Sequence, residues 1–210
     1  MSETVLIPGG RDVRASLDSP GADACVVACP PHPQLGGKRS DRRLRGVADV
    51  LSGTAPDGDA TRPAVATLRF DYASWDEGTG EVADARSALS WAHDRYEPVG
   101  LFGYSFGGGI ALLAAARESR VDRAPVAVAA LAPSARPGRL AAAAAIGDIE
   151  CPGYVLYGER DTTAEWEPVV ERAREAGWRV ESMAVDHHFV RQTDTVGRRC
   201  GAFLRTVMGY

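Results

Sequence analysis

The sequence predicts an α/β domain built on a mostly parallel, doubly wound sheet, and three observations carry that expectation. Short apolar runs alternate with helix-patterned segments over most of the 210 residues. Such alternation implies parallel strands joined by right-handed crossovers. One run, residues 24–29 (A-C-V-V-A-C), is apolar throughout, as expected of a strand buried on both faces. The third observation is the pentapeptide Gly103-Tyr104-Ser105-Phe106-Gly107 between an apolar run and an alanine-rich stretch. A serine flanked in this way marks a tight strand-to-helix turn.

Taken in order, residues 4–7 and 13–17 read as short strands, joined as a hairpin around Pro8-Gly9-Gly10. Residues 24–29 form the buried strand. The loop 30–38 follows, stiffened by Pro30, Pro31 and Pro33 and loosened by Gly36 and Gly37. A helix is predicted over 41–51, and residues 54–62 are polar and turn-forming. The next strand is 65–70. The next helix is 81–95, where Val82, Ala85, Leu89 and Ala92 recur at helical spacing. Residues 99–102 form the strand that enters the serine turn, and the small-residue helix starts just beyond it. The remaining pattern is a strand over 125–131, an alanine-rich helix over 139–146, a strand over 154–157 and a helix over 165–176. A strand over 179–184 and a helix over 195–208 close it. No repeat and no linker divides the chain, so a single domain over 1–210 is expected, with a sizeable core from its 45% apolar content.

Composition narrows the function classes. Lysine and arginine number 24 against 28 acidic residues, a formal charge of −4 with both signs interspersed. Arg39, Arg42, Arg43 and Arg45 form only a local cluster, so no nucleic-acid partner is expected. No apolar stretch reaches the roughly eighteen residues a bilayer demands, so no membrane partner is expected. The N-terminus has no basic segment followed by an apolar one, and the expectation is a cytoplasmic protein. Cys25, Cys29, Cys151 and Cys200 lack metal-ligand spacing and read as free thiols in a reducing compartment. No phosphate-binding lysine or dinucleotide fingerprint accompanies the glycines, so neither cofactor nor metal is expected.

Ligands of an open α/β sheet bind beyond the carboxyl ends of its strands, so the polar residues that follow each strand are the candidates. They are Ser105, then Gly158-Glu159-Arg160-Asp161-Thr162, then Val185-Asp186-His187-His188-Phe189. A serine hydroxyl is a poor nucleophile near neutrality. It needs a histidine to take its proton and a carboxylate to fix that histidine's tautomer. Among Glu159, Asp161 and Asp186, position favours Asp161, because its loop extends a few residues past the strand to meet the histidine. Of His187 and His188 only one can face Ser105, since adjacent side chains diverge. Acyl chemistry also requires an oxyanion site. One donor is expected to be the amide of Phe106, and the other an amide of Gln34 or Leu35, with Gln34 favoured because the loop's prolines have no N–H.

The loop Cys29-Pro30-Pro31-His32-Pro33-Gln34-Leu35-Gly36-Gly37 and the G-x-S-x-G turn are two of four motifs. The others are Asp76-Glu77-Gly78-Thr79-Gly80-Glu81 and Val185-Asp186-His187-His188-Phe189. Together, over about residues 24 to 207, they resemble the α/β-hydrolase superfamily. The likeness is to its small lidless serine hydrolases of the dienelactone-hydrolase-like group. The resemblance implies an α/β-hydrolase fold without a cap domain, and cofactor-free hydrolysis of an ester or related acyl bond. It places His187 at the catalytic histidine, with His188 where the group has phenylalanine. It also keeps His32 beside the substrate while Pro30 replaces the loop's first histidine. The expected partner is a small ester or thioester. Acyl transfer or perhydrolysis on the same fold is an alternative, as is ligand binding without turnover. The interval 132–152 offers only one short helix, too little for a cap.

Overall fold

A strand's place in this molecule follows from how apolar it is. In the computed structural model, which describes residues 2–9, 11–55 and 62–210, two of the three strands buried at every position lie near the middle of one sheet. They are β3 (Cys25–Cys29) and β5 (Val99–Tyr104). Around them stand β1 (Ser2–Ile7), β2 (Val13–Asp18), β4 (Ala66–Asp71), β6 (Val128–Leu131), β7 (Gly153–Gly158) and β8 (Arg179–Met183). The eight strands run in the order β1-β2-β4-β3-β5-β6-β7-β8. β2 is antiparallel to both of its neighbours, and β3 to β8 are parallel. All the loops that leave the parallel strands therefore gather at one edge of the sheet.

Helices cover both faces. α1 (Arg42–Leu51) and α6 (Thr193–Met208) bury Leu44, Val47, Leu51, Val196, Cys200 and Leu204 against one side. α2 (Thr79–His93), α3 (Phe106–Ser119), α4 (Ala142–Ala145) and α5 (Glu167–Glu175) cover the other, with Val82, Leu89, Ile110 and Val169 in the core. α1 is fixed by Asp41, whose side chain accepts from the Arg43 amide and caps the helix N-terminus. α1 and α6 lie close together along a seam of small residues. A Cβ on Gly197 would stand 2.4 Å from the Gly46 carbonyl oxygen, and one on Gly201 would stand 2.7 Å from Val50 Cγ1. Buried Arg205 crosses from α6 to donate to the carbonyls of Leu51 and Pro63, each at 2.7 Å.

The predicted elements are present, with displaced ends. Asp41 is a cap rather than the first helical residue, and α2 begins two residues earlier than its periodicity suggests, where the Glu81 carboxylate accepts from the Gly78 amide at 2.8 Å. The helix expected over 139–146 shrinks to Ala142–Ala145 and a 3-10 turn at Ile146–Asp148. Before it, the amides of Arg139, Leu140 and Ala142 donate to Glu77, Pro137 and Ala135, so they are withdrawn from a helical ladder. Between β6 and β7 there is thus no cap among the described residues. Gly10, at the tip of the predicted hairpin, and residues 56–61 of the turn-forming segment lie outside them. All four cysteines are buried and free. Desolvation pushes the thiols of Cys25 and Cys151 up to about 12, and raises those of Cys29 and Cys200 as well.

Gly197→Ala should force α1 and α6 apart, because the added methyl meets backbone rather than a movable side chain. Overpacking of this kind costs about 1–3 kcal/mol. Urea denaturation should show a lower midpoint at unchanged slope; a midpoint equal to that of the parent protein would mean the seam has slack.

Candidate active site

Ser105 sits at φ 58° and ψ −121°, a backbone conformation that side-chain-bearing residues rarely hold. What holds it is close packing on either side. A Cβ on Gly103 would stand 2.1 Å from the Gly107 carbonyl oxygen, and one on Gly107 would stand 2.3 Å from the carbonyl oxygens of both Cys29 and Pro30. The Ser105 amide donates to Leu131 (2.8 Å), and its carbonyl accepts from Gly108 (2.9 Å) and Ser134 (3.0 Å). Ser105 therefore stands at the N-terminus of α3, where the first amides have no intrahelical partner.

His187 and Asp161 complete a hydrogen-bonded chain that ends at this serine. Ser105 Oγ lies 2.9 Å from His187 Nε2, and His187 Nδ1 lies 2.7 Å from Asp161 Oδ2. A carboxylate oxygen accepts, so Nδ1 carries the proton and Nε2 faces the serine hydroxyl as an acceptor. Asp161 Oδ1 accepts from the amides of Thr163 (2.8 Å) and Ala164 (3.0 Å), while its carbonyl accepts from the Trp166 indole at 3.1 Å. Both Asp161 and His187 are buried. The rival carboxylates are engaged elsewhere. Glu159 accepts from the Ser182 hydroxyl, and Asp186 from the His188 amide. His188 itself is exposed, its ring edge-on to His187 at 5.5 Å.

The loop between β3 and α1 differs in detail from expectation. Pro33–Leu35 is a 3-10 turn, and the two amides that sequence reasoning favoured as oxyanion donors are spent inside it. Gln34 N–H donates to His32 Nδ1 at 3.3 Å, and Leu35 N–H donates to the His32 carbonyl at 3.0 Å. The Leu35 side chain is 84% exposed. Pro31 and Pro33 have no N–H. The His32 amide is the one in this stretch that meets no acceptor among the described residues. The His32 ring stacks on Trp75 (4.6 Å) and leans on Phe106 (4.9 Å), with Trp75 and Tyr72 also against Phe106 at 5.6 and 5.8 Å. Burial draws His32 below the usual histidine range, against the opposing pull of the Glu81 carboxylate. The far end of the loop is clamped to β4, where Asp71 accepts from the Arg39 amide at 2.7 Å and pairs with its guanidinium.

Several residues of this site carried no signal in the sequence. Tyr104 donates from its hydroxyl to the His187 carbonyl at 3.0 Å, and Trp166 holds the Asp161 backbone. Trp75 depends on a loop tied down by Arg11, which donates to Asp84 (2.8 Å), and by Asp84, which accepts from Ala73 (2.9 Å). Each link joins residues distant in the chain, which no local pattern marks; only the position of Tyr104 beside the serine could have drawn attention to it. Among the described residues no group of three or more His, Cys, Asp or Glu is placed to hold a metal ion, and no helix is long and apolar enough to cross a membrane.

The model of the dienelactone hydrolase family matches residues 47–197. Among curated proteins, none matches significantly. Solved structures share the fold closely at low identity. An α-β serine hydrolase homologue from Coxiella burnetii has a TM-score of 0.76 at 21% identity, covering 96% of this chain and 97% of that one. A serine hydrolase without a lid from Xanthomonas campestris has 0.74 at 22%, covering 98% and 93%. A dienelactone hydrolase from Anabaena variabilis has 0.75 at 21%, covering 98% and 97%.

His32 and His93 are both held below the usual histidine range, chiefly by burial. The unfolded chain then binds protons that the folded chain refuses. Stability should therefore fall as the pH drops through the ordinary histidine value of about 6.5 toward the lowered folded values. His32→Asn keeps an acceptor for the Gln34 amide but cannot titrate. Its urea midpoint should lose less than that of the parent between pH 7.5 and 5.5; equal losses would take His32 out of the acid response.

Proposed function

The chain belongs to the dienelactone hydrolase family, and from that premise we propose that it cleaves small carboxylic esters or thioesters through an acyl-enzyme on Ser105. Family membership makes it a hydrolase on an α/β-hydrolase fold. The observation that supports the finer reading is the unbroken chain Ser105–His187–Asp161, with contacts of 2.9 and 2.7 Å. In this reading His187 Nε2 takes the hydroxyl proton as Oγ attacks the carbonyl carbon. The resulting imidazolium is stabilised by Asp161, whose position is fixed by two loop amides. His187 then returns the proton to the leaving alkoxide or thiolate. A water deprotonated by the same histidine attacks the acyl-enzyme, and Ser105 is regenerated.

The charge that develops on the carbonyl oxygen needs preorganised donors. Phe106 N–H, first in α3, is one. For the second we replace Gln34 with His32, because the Gln34 and Leu35 amides are engaged and the His32 amide is not. The reaction assigned here draws on no cofactor or metal. Its partner is a small-molecule substrate, and the cytoplasm is the proposed place of work. Transfer of the acyl group to an acceptor other than water would use the same residues, and binding without turnover would leave the strained serine and its base without a purpose.

Ser105→Ala and His187→Ala should each lower kcat/KM for p-nitrophenyl acetate by at least about a thousandfold, since loss of the nucleophile or its base removes several kcal/mol of barrier stabilisation. His188→Ala should stay within about tenfold of the parent. A dead His188 variant beside an active His187 variant would reverse the two roles.

With only a four-residue helix and a 3-10 turn between β6 and β7, little apolar surface is available to a long acyl chain. Each methylene beyond the first few should add less than the roughly 0.8 kcal/mol of full burial. Acetyl to hexanoyl esters should therefore be turned over more efficiently than palmitoyl esters. A specificity constant climbing steadily to sixteen carbons would contradict an open, shallow site.

A further inference from the structure

We propose that Tyr104 is a positioning residue for His187, a role that rests on the serine-hydrolase reading above. Tyr104 immediately precedes Ser105 and is the last residue of β5, a strand hydrogen-bonded on both sides, to β3 and β6. Its side chain is buried. From there it touches His187 in two ways. The hydroxyl donates to the His187 backbone carbonyl at 3.0 Å, and the phenol ring lies 5.5 Å from the imidazole with 29° between their planes. The nucleophile thus directly follows the residue that holds the base, at the end of one strand.

The His187 loop needs such a hold. Phe189 and Arg191, two and four residues on, have φ of 49° and 61°, in the left-handed region that side chains disfavour. The hydrogen bond that His187 Nδ1 donates to Asp161 orients the ring, but contacts made by the ring alone leave the distance of the loop backbone from β5 undetermined. The Tyr104 hydroxyl sets that distance. It is suited to do so over the working pH range, because burial pushes the phenol up to about 12, and it therefore stays a neutral donor. The Arg43 guanidinium, paired with Asp41 at 2.7 Å, lies over the same phenol ring at 4.4 Å and restrains it in turn.

Tyr104→Phe removes one oxygen and keeps the ring, so it separates the hydroxyl's contribution from packing. The measurements are kcat and KM for p-nitrophenyl acetate, the second-order rate of fluorophosphonate labelling at Ser105, and the melting temperature. A misplaced base should lower kcat by roughly tenfold to a hundredfold, with KM within about threefold. Labelling should slow by a similar factor, since it reads the activation of Ser105 without any later step. Tyr104→Leu, which loses stacking as well, should fall further on both, with rates measured well below its own melting temperature. A Phe variant that melts earlier but labels and turns over at the parent rate would overturn the proposal and leave Tyr104 a structural tie. Parent protein that neither labels at Ser105 nor hydrolyses the ester would overturn the serine-hydrolase reading, and this one with it.

Discussion

Much of the site rests on one close approach. The first turn of α3 lies so near the end of β3 that Gly107 leaves no room for a Cβ against the carbonyls of Cys29 and Pro30. That contact brings the helix N-terminus, the serine before it and the proline-rich loop after β3 into one small volume. The unusual conformation of Ser105 follows, because the chain must turn within one residue from a fully buried strand into a helix. The strain is borne by the four hydrogen bonds that the Ser105 backbone makes to Leu131, Gly108, Gly109 and Ser134, two of which reach the neighbouring strand's exit. Loosening the Gly107 contact would both relax the serine and move apart the Phe106 and His32 amides proposed as oxyanion donors.

The same geometry explains why so much could be read beforehand. Local chemistry leaves local marks. Glycines at 103 and 107 are required by contacts within a few ångströms, and an all-apolar run such as residues 24–29 has no stable place except between two strands. Asp161 and His187 were legible for a different reason. Parallel strands deliver their following loops to one edge, so chain order alone narrows the candidates to a few polar residues. The structure then brings Ser105, His187 and Asp161 together in one hydrogen-bonded chain, as the sequence order suggested.

What escaped was the outcome of competition among hydrogen bonds. Counting prolines correctly eliminated Pro31 and Pro33 as donors, yet it treated every remaining amide as equally available. In the folded loop a 3-10 turn consumes the amides of Gln34 and Leu35, and one histidine accepts both, through Nδ1 and through its carbonyl. Helix ends were misplaced for the same reason. Residues 139–141 have helical propensity, but their neighbourhood offers the carbonyls of Glu77, Pro137 and Ala135 instead. Tyr104 and Trp166 act through single long-range bonds to backbone carbonyls, a kind of contact no periodicity announces.

The loops at the carboxyl edge share a further device. Those after β3, β4 and β7 are each bracketed by a carboxylate that accepts backbone amides. Asp71 takes Arg39, Asp84 takes Ala73, Glu81 takes Asp76 and Gly78, and Asp161 takes Thr163 and Ala164. A carboxylate has enough lone pairs to hold two amides and still serve a third partner. Asp71 and Asp84 use the remainder on arginines, and Asp161 uses it on His187. The bond between Asp161 and His187 is therefore a variation on the scaffold's general way of fixing its loops. An acid already oriented by two amides has little freedom left, so the histidine it meets inherits that rigidity. This accounts for how a chain with only a four-residue helix and a 3-10 turn between β6 and β7 can keep its polar groups aligned: their order comes from bracketed loops rather than from enclosure.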